Sequence, residues 1–215
     1  MLLSESSEQG GDEMNTLLLG TGNPGKVKEL LALLKSIPSL RILTRSDIPF
    51  SDVDETGTTF LDNAILKARE IQRQTRFAVL AEDAGLQVDA LGGEPGVYSA
   101  RYSGPSATDE TNVGLLLDRL RGISDRRARF VDVACLLLPD GRTFITTGIL
   151  EGAIATAPSG DGGFGYDPVF VRDGSDLTFA ETPLEEKNRV SHRRDAIRHM
   201  VPILERLVAS NALRV

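Results

Sequence analysis

Two adjacent carboxylates, Glu82 and Asp83, follow the apolar run Ala78-Val-Leu-Ala81 and precede Gly85. Such a run reads as a short buried strand, and ligands of open α/β sheets collect just past the carboxyl ends of strands. Acids side by side repel, so a cation or a proton between them is favoured. A divalent ion held there, beside a carboxylate able to deprotonate water, would be a hydrolytic arrangement. The plainer alternative is a solvated strand exit. Upstream, Gly20-Thr-Gly-Asn-Pro-Gly-Lys26 joins the apolar Thr16-Leu-Leu-Leu19 to a stretch with Val27, Leu30, Leu31 and Leu34 at helical spacing. Asn23 as N-cap and Pro24 at the first helical position start that helix. A glycine-rich turn at a helix N-terminus makes an anion site of backbone N–H groups. Lys26 in the first turn opposes the helix dipole, a cost that a bound phosphate would offset.

Three patterns compete for this turn. Gly20-x-Gly22-x-x-Gly25 fits a dinucleotide fingerprint, with Asp47 near the place of a ribose-binding acid. Gly20-x4-Gly25-Lys26 fits a P-loop, except that Val27 stands where a magnesium-binding hydroxyl belongs. A phosphate cradle of Thr21, Asn23 and Lys26 is the third. Further along, Asp54 and Glu55 lie in an acidic loop, Ser51 to Gly57, that either reaches a metal or is solvated. A helix follows from Thr58 or Thr59, with Leu61, Ile65 and Ala68 as its apolar stripe. Asn63, Lys67 and Glu70 share another face, where Lys67 pairs with Glu70 or reaches a phosphate.

The loop Ser159-Gly-Asp-Gly-Gly-Phe-Gly-Tyr-Asp-Pro168 lets Phe164 and Tyr166 project, to stack on a base or to cap the core. Ser191 caps a last helix, and Lys187, His192, Arg193 and Arg194 collect at its N-terminus, where cations suit an anionic or oxo ligand. Pro202 predicts a kink in it. Between these motifs, Arg41 to Thr44 reads as a strand, Leu91 to Gly104 as a loop, and Thr108 as the cap of a scaffold helix carrying Val113, Leu116 and Leu120. Ala128–Leu138 and Thr143–Leu150 form a hairpin around Pro139-Asp-Gly-Arg142, with Gly152–Ala157 beyond.

The 215 residues suit a single domain with an ordinary core. A net charge of −7 argues against binding a nucleic-acid backbone or an anionic membrane surface. The lone cysteine, Cys135, lies in an apolar run and reads as inert core. Residues 1–13 read as a disordered acidic tail with no export signal, residues 14–215 as one two-lobed domain, and the protein as cytoplasmic.

Six segments in order resemble the inosine/xanthosine triphosphate pyrophosphatase family. They are Thr21-Gly-Asn-Pro-Gly-Lys26, Glu55 to Ala68, Glu82-Asp-Ala-Gly-Leu86, Leu91 to Tyr102, Gly162-Gly-Phe-Gly-Tyr-Asp-Pro168 and Glu186 to Arg193, within a match from about Leu17 to Leu207. The resemblance implies an elongated α/β fold with a long mixed sheet flanked by helices, and two lobes with a nucleotide cleft between them. It also implies Mg²⁺ dependence, a homodimer, and cleavage of ITP, dITP or XTP to monophosphate and pyrophosphate. It assigns Thr21, Gly22, Asn23, Pro24, Gly25 and Lys26 to the phosphates, with Lys67 beside them. Asp83 becomes general base and metal ligand, helped by Glu82 and Glu55. Phe164, Gly165, Tyr166, Asp167, Lys187, His192 and Arg193 bind the nucleotide, mostly through its base. Members of that family commonly carry Ser or Thr where this chain has Ala84, which leaves the backbone N–H of Ala84 as the donor to substrate. A nucleotide sensor without turnover, or a pyrophosphatase for other modified nucleotides, would use the same scaffold.

Overall fold

The computed structural model describes residues 14–214, so the acidic tail expected over residues 1–13 lies outside the described residues. In chain order the elements are β1 (Asn15–Leu19), α1 (Pro24–Leu34), β2 (Leu40–Leu43), α2 (Phe60–Thr75), β3 (Ala78–Val88), α3 (Asp109–Arg119), β4 (Arg127–Leu137), β5 (Thr143–Ile154), β6 (Phe170–Arg172), α4 (Leu184–Val190) and α5 (His192–Ala209). The strands form one sheet in the order β2-β1-β3-β4-β5-β6. The pairs β1–β2 and β1–β3 are parallel, whereas β3–β4, β4–β5 and β5–β6 are antiparallel. This is a mixed α/β sheet, as the sequence predicts.

Local chemistry fixes the helix starts. Asn23 caps α1 by accepting from the Lys26 N–H at 3.1 Å, with Pro24 in the first turn. Thr59 caps α2 through the Asp62 N–H, Thr108 and Thr111 form a capping box on α3, and Ser191 caps α5. Each of these caps contributes on the order of 1 kcal/mol. Pro202 lies inside α5, which stays helical to Ala209.

Strand alternation sorts the core. Leu17, Leu19, Ala78, Leu80, Ala134 and Leu136 face α1 and α5. Leu18, Val79, Ala81, Val133 and Cys135 face α2. A third cluster, with Leu86, Phe130, Leu116, Phe170 and Phe179, fills the other end of the sheet. The two lobes are thus the two ends of the same long strands: at roughly 3.3 Å per residue, the 11 residues of β3 run through both.

Several sequence expectations are corrected. The strand at Ala78 does not stop at the acids; it continues through them to Val88, and Gly85 is within it. Gly85 marks a close approach rather than a turn, because a Cβ there would strike Ser99 and the Gly96 carbonyl. The buried stripe of α2 is Phe60, Ala64, Ala68 and Ile71, while Leu61 is exposed. The segment Gly152–Ala157 is no separate strand, since β5 continues to Ile154. No described helix is long and apolar enough to cross a membrane.

Candidate active site

β1 pairs with β3 only as far as Leu80, and the last bond on that side runs from the Gly20 N–H to the Leu80 carbonyl at 2.8 Å. Beyond it the chain turns away into α1, so β3 loses its neighbour where the acids begin. A new partner appears further along, where the Leu86 N–H donates to Ser99 Oγ at 2.9 Å. Between these points lies a cavity of about 620 Å³, within the usual range for small-ligand sites. Its walls come from both lobes: the turn Gly20–Asn23 with Lys26, then Glu55, Lys67 and Asp83, and opposite them Phe164 and His192. Phe164 closes it by lying against Gly25, where any Cβ would come within 2.9 Å of the ring.

The two acids do not share a site. Successive side chains of a strand point to opposite faces, so Asp83 faces α2 and Glu82 faces α1 and α5. Asp83 Oδ1 accepts from Lys67 Nζ at 2.9 Å and Oδ2 from Asn63 Nδ2 at 3.2 Å. Asn63 is itself oriented by the Gly57 N–H, which donates to its Oδ1 at 2.8 Å. Lys67 also donates to Glu55 Oε1 at 3.1 Å. Burial works against the Lys67 charge, but Asp83 and Glu55 outweigh it and raise the ammonium pKa. Burial likewise acts to raise Glu55, yet Lys67, Lys26 and Arg101 hold its carboxyl below the ordinary range.

Glu82 is only 1% exposed and takes the Arg193 Nε–H at 2.7 Å. Lys26 Nζ lies 3.5 Å from the same oxygen. Burial would raise the Glu82 pKa, and Arg193 with Lys26 reverses that, keeping it ionised. In this structure each acid has its own cationic partner, on its own side of the sheet.

The residues expected to bind the base are similarly brought together but differently engaged. Arg193 is 2% exposed, and its guanidinium reaches Glu82 and Glu29. Lys187 donates to Asp167 Oδ2 at 2.5 Å, lies 3.4 Å from Glu29, and stands 4.9 Å over the Phe164 ring. It belongs to α4, the short helix that ends just before Ser191. His192 stacks on Phe130 with centroids 4.8 Å apart, and burial followed by Arg193, Lys187 and Lys26 pushes its pKa well down, so the ring is neutral. Asp167 accepts from the Phe164 N–H at 2.8 Å, and Asp109 from the Gly165 N–H at 2.6 Å. Tyr166 is buried and donates to the Ser99 carbonyl at 2.9 Å, so it caps the core instead of projecting. Asp47 turns onto Thr44, accepting from its N–H and hydroxyl at 2.8 and 2.9 Å, which removes the ribose role of a dinucleotide fold.

Sequence reasoning missed Glu29, Asn63's hold on Asp83, and Asp132. Glu29 follows Val27 and Lys28 on α1 and is 4% exposed. Its signal was faint, one acid beside Leu30. Asp132 left a clearer one, an acid inside the apolar run Phe130 to Leu138.

Asp83 and Glu55 converge on one point, the position of Lys67 Nζ. A pair of carboxylates opening on a cavity of this size fits a hard divalent ion that takes its remaining ligands from water and phosphate. Among the described residues no group of three or more His, Cys, Asp and Glu converges to form an all-protein cage.

Fold and cavity together define a mixed α/β protein with a nucleotide-sized cleft, walled by lysines, a carboxylate pair and an aromatic loop. The chain belongs to the Ham1 family, whose model matches residues 17–203. A protein of Exiguobacterium sp. named dITP/XTP pyrophosphatase is 48% identical over 185 residues, covering 86% of this chain and 94% of that protein. One of the same name from Thermus thermophilus is 49% identical over 187 residues, covering 86% and 89%. The solved Staphylococcus aureus Ham1 protein is 40% identical with a TM-score of 0.80, covering 88% of this chain and 98% of that one.

Proposed function

We propose that this protein hydrolyses non-canonical purine nucleoside triphosphates, dITP, ITP and XTP, to the nucleoside monophosphate and pyrophosphate. The observation that carries the reading is the Asp83–Lys67–Glu55 cluster, at 2.9 and 3.1 Å, facing the capped start of α1 across one cavity. The relatives' names support the same substrates. Thr21, Gly22, Asn23, Pro24, Gly25 and Lys26 would cradle the outer phosphates at the N-terminus of α1. Asp83, held on both oxygens, would take the proton of the attacking water. Lys67 would turn from Asp83 toward the phosphates, and with Lys26 would stabilise charge on the departing pyrophosphate.

Mg²⁺ held by Asp83 and Glu55, when bound, would neutralise phosphate charge and lower the pKa of a coordinated water. Glu82 has a different task in this reading: it fixes Arg193 and Lys26 from behind the sheet. The backbone of Ala84, at the open side of β3, supplies the contact that no hydroxyl can make here. Phe164 offers a face for the base, and the donors Lys187 and Arg193 favour a 6-oxo acceptor. Adenine's amino group would meet donors with donors, a mismatch that discriminates strongly in a dry site. A homodimer belongs to the same reading, supported by the two exposed isoleucines Ile145 and Ile149 on β5, and sedimentation mass checks it.

The test is a panel of dITP, ITP, XTP, dATP and dGTP with Mg²⁺. Turnover of the 6-oxo purines lacking a 2-amino group, at kcat/KM about 10²-fold or more above dATP, is expected. Tight binding of dITP without turnover would instead identify a nucleotide sensor.

A further inference from the structure

On the face of the sheet opposite Asp83, the polar accounts do not close. Asp132 is fully buried, and among the described residues neither of its oxygens has a hydrogen-bond partner. Glu82 Oε2, Thr146 Oγ1 and His192 Nδ1 are buried and unpartnered too. Register puts these groups together. Ala84 pairs with Asp132 and Glu82 with Ala134, so Glu82 and Asp132 are diagonal neighbours on one face. Asp132 pairs with Gly148 and Ala134 with Thr146. Gly148 lets the first turn of α5 descend onto this spot, since a Cβ there would strike the His192 carbonyl oxygen.

Charge gives the second argument. Glu29, Glu82, Asp132 and Asp167 are buried around Arg193, Lys187 and the Lys26 ammonium, so the cluster is one positive charge short if every acid is ionised. An ionised carboxylate with no partner is strongly disfavoured at full burial. One proton held within the cluster balances this charge.

We propose that Asp132 is a buried neutral carboxylic acid that donates to the free oxygen of Glu82, directly or through one water, and so positions the Glu82–Arg193 pair beneath the base end of the cavity. It is a positioning residue: it touches no substrate, and acts through Glu82 and Arg193. The groups facing it agree with a retained proton. Burial, then Glu82 on β3, push its pKa up to about 8, against Arg193 on α5, Lys26 on α1 and Lys67 on α2, while His192 on α5 is neutral and β5 offers only the Thr146 hydroxyl.

The kinetic arm of the test rests on the proposed hydrolysis; the stability arm does not. Asp132→Asn keeps a neutral hydrogen-bonding group, so its KM for dITP at pH 7 stays near that of the unsubstituted protein. Asp132→Leu leaves Glu82 Oε2 without a donor and raises KM about tenfold, with kcat little changed because Asp83 is on the other face. For stability, the folded pKa near 8 lies above the unfolded value of about 3.9. The contribution of Asp132 is therefore complete below about pH 4 and falls as pH rises toward 8. Asn does not titrate, so chemical unfolding shows the variant gaining on the unsubstituted protein across that window. Parallel stability curves, or a Leu variant with unchanged KM, would overturn the proposal. So would a carbon-detected NMR titration of the unsubstituted protein showing the Asp132 carboxyl ionised at pH 6.

Discussion

Replacing Asp83 by Asn is expected to lower kcat on dITP by about 10²–10⁴-fold, the range of a lost general base. KM should move far less, because the turn from Gly20 to Lys26 and the Phe164 end of the cavity are untouched. Asn preserves the shape of the side chain and still accepts from Lys67, whose Nζ now stands 2.9 Å from Asp83 Oδ1. It loses the second acceptor oxygen that faces Asn63 Nδ2 at 3.2 Å, and it cannot take a proton. The variant therefore stays folded, which its thermal unfolding checks alongside the kinetics. Retention of more than about a tenth of kcat would remove Asp83 from this role, since even the weakest general bases contribute more.

The largest stability effect is expected at Arg193. Its guanidinium is buried between Glu82 and Glu29 and ties β3, α1 and α5 together. Burial alone would depress its pKa, and the carboxylates around it, Glu82 foremost, reverse that shift, raising it. Arg193→Leu keeps the volume apolar but strands two buried acids, and should cost roughly 3–5 kcal/mol in unfolding free energy. Arg193→Leu combined with Glu82→Gln and Glu29→Gln should recover part of the loss, because the uncompensated charges are then gone. Denaturant unfolding measures both. A loss below about 1 kcal/mol for the single variant would mean the cluster behaves as an exposed ion pair.

How far the sequence reveals this molecule depends on how local the signal is. Asn23 and Pro24, Thr59, Thr108 and Ser191 were all legible as helix starts, because a cap is a contact between residues three apart. The hairpin of β4 and β5 was legible for the same reason, through its turn. The extent of β3 was not. Glu82, Asp83 and Gly85 look like a strand ending in solvent, and only cations from α1, α2 and α5 make two acids tolerable inside a strand. Those cations arrive from as far as 111 residues away in sequence.

The site followed the same division. Nearly all the residues singled out from the sequence line or adjoin one cavity. The site's wiring was not legible: alternation separates Glu82 from Asp83, and Arg193 and Lys187 spend donors on Glu82, Glu29 and Asp167. Glu29 and Asp132 escaped notice because one acid in an apolar pattern looks like noise until its surroundings are known.

Water activated at Asp83 should attack the phosphate nearest the nucleoside, with pyrophosphate departing toward Lys26 and Lys67. Hydrolysis of dITP in ¹⁸O-enriched water, with both products analysed by mass, tests this most directly. The expected result is labelled dIMP and unlabelled pyrophosphate. Label in the pyrophosphate, or release of orthophosphate with dIDP, would contradict it.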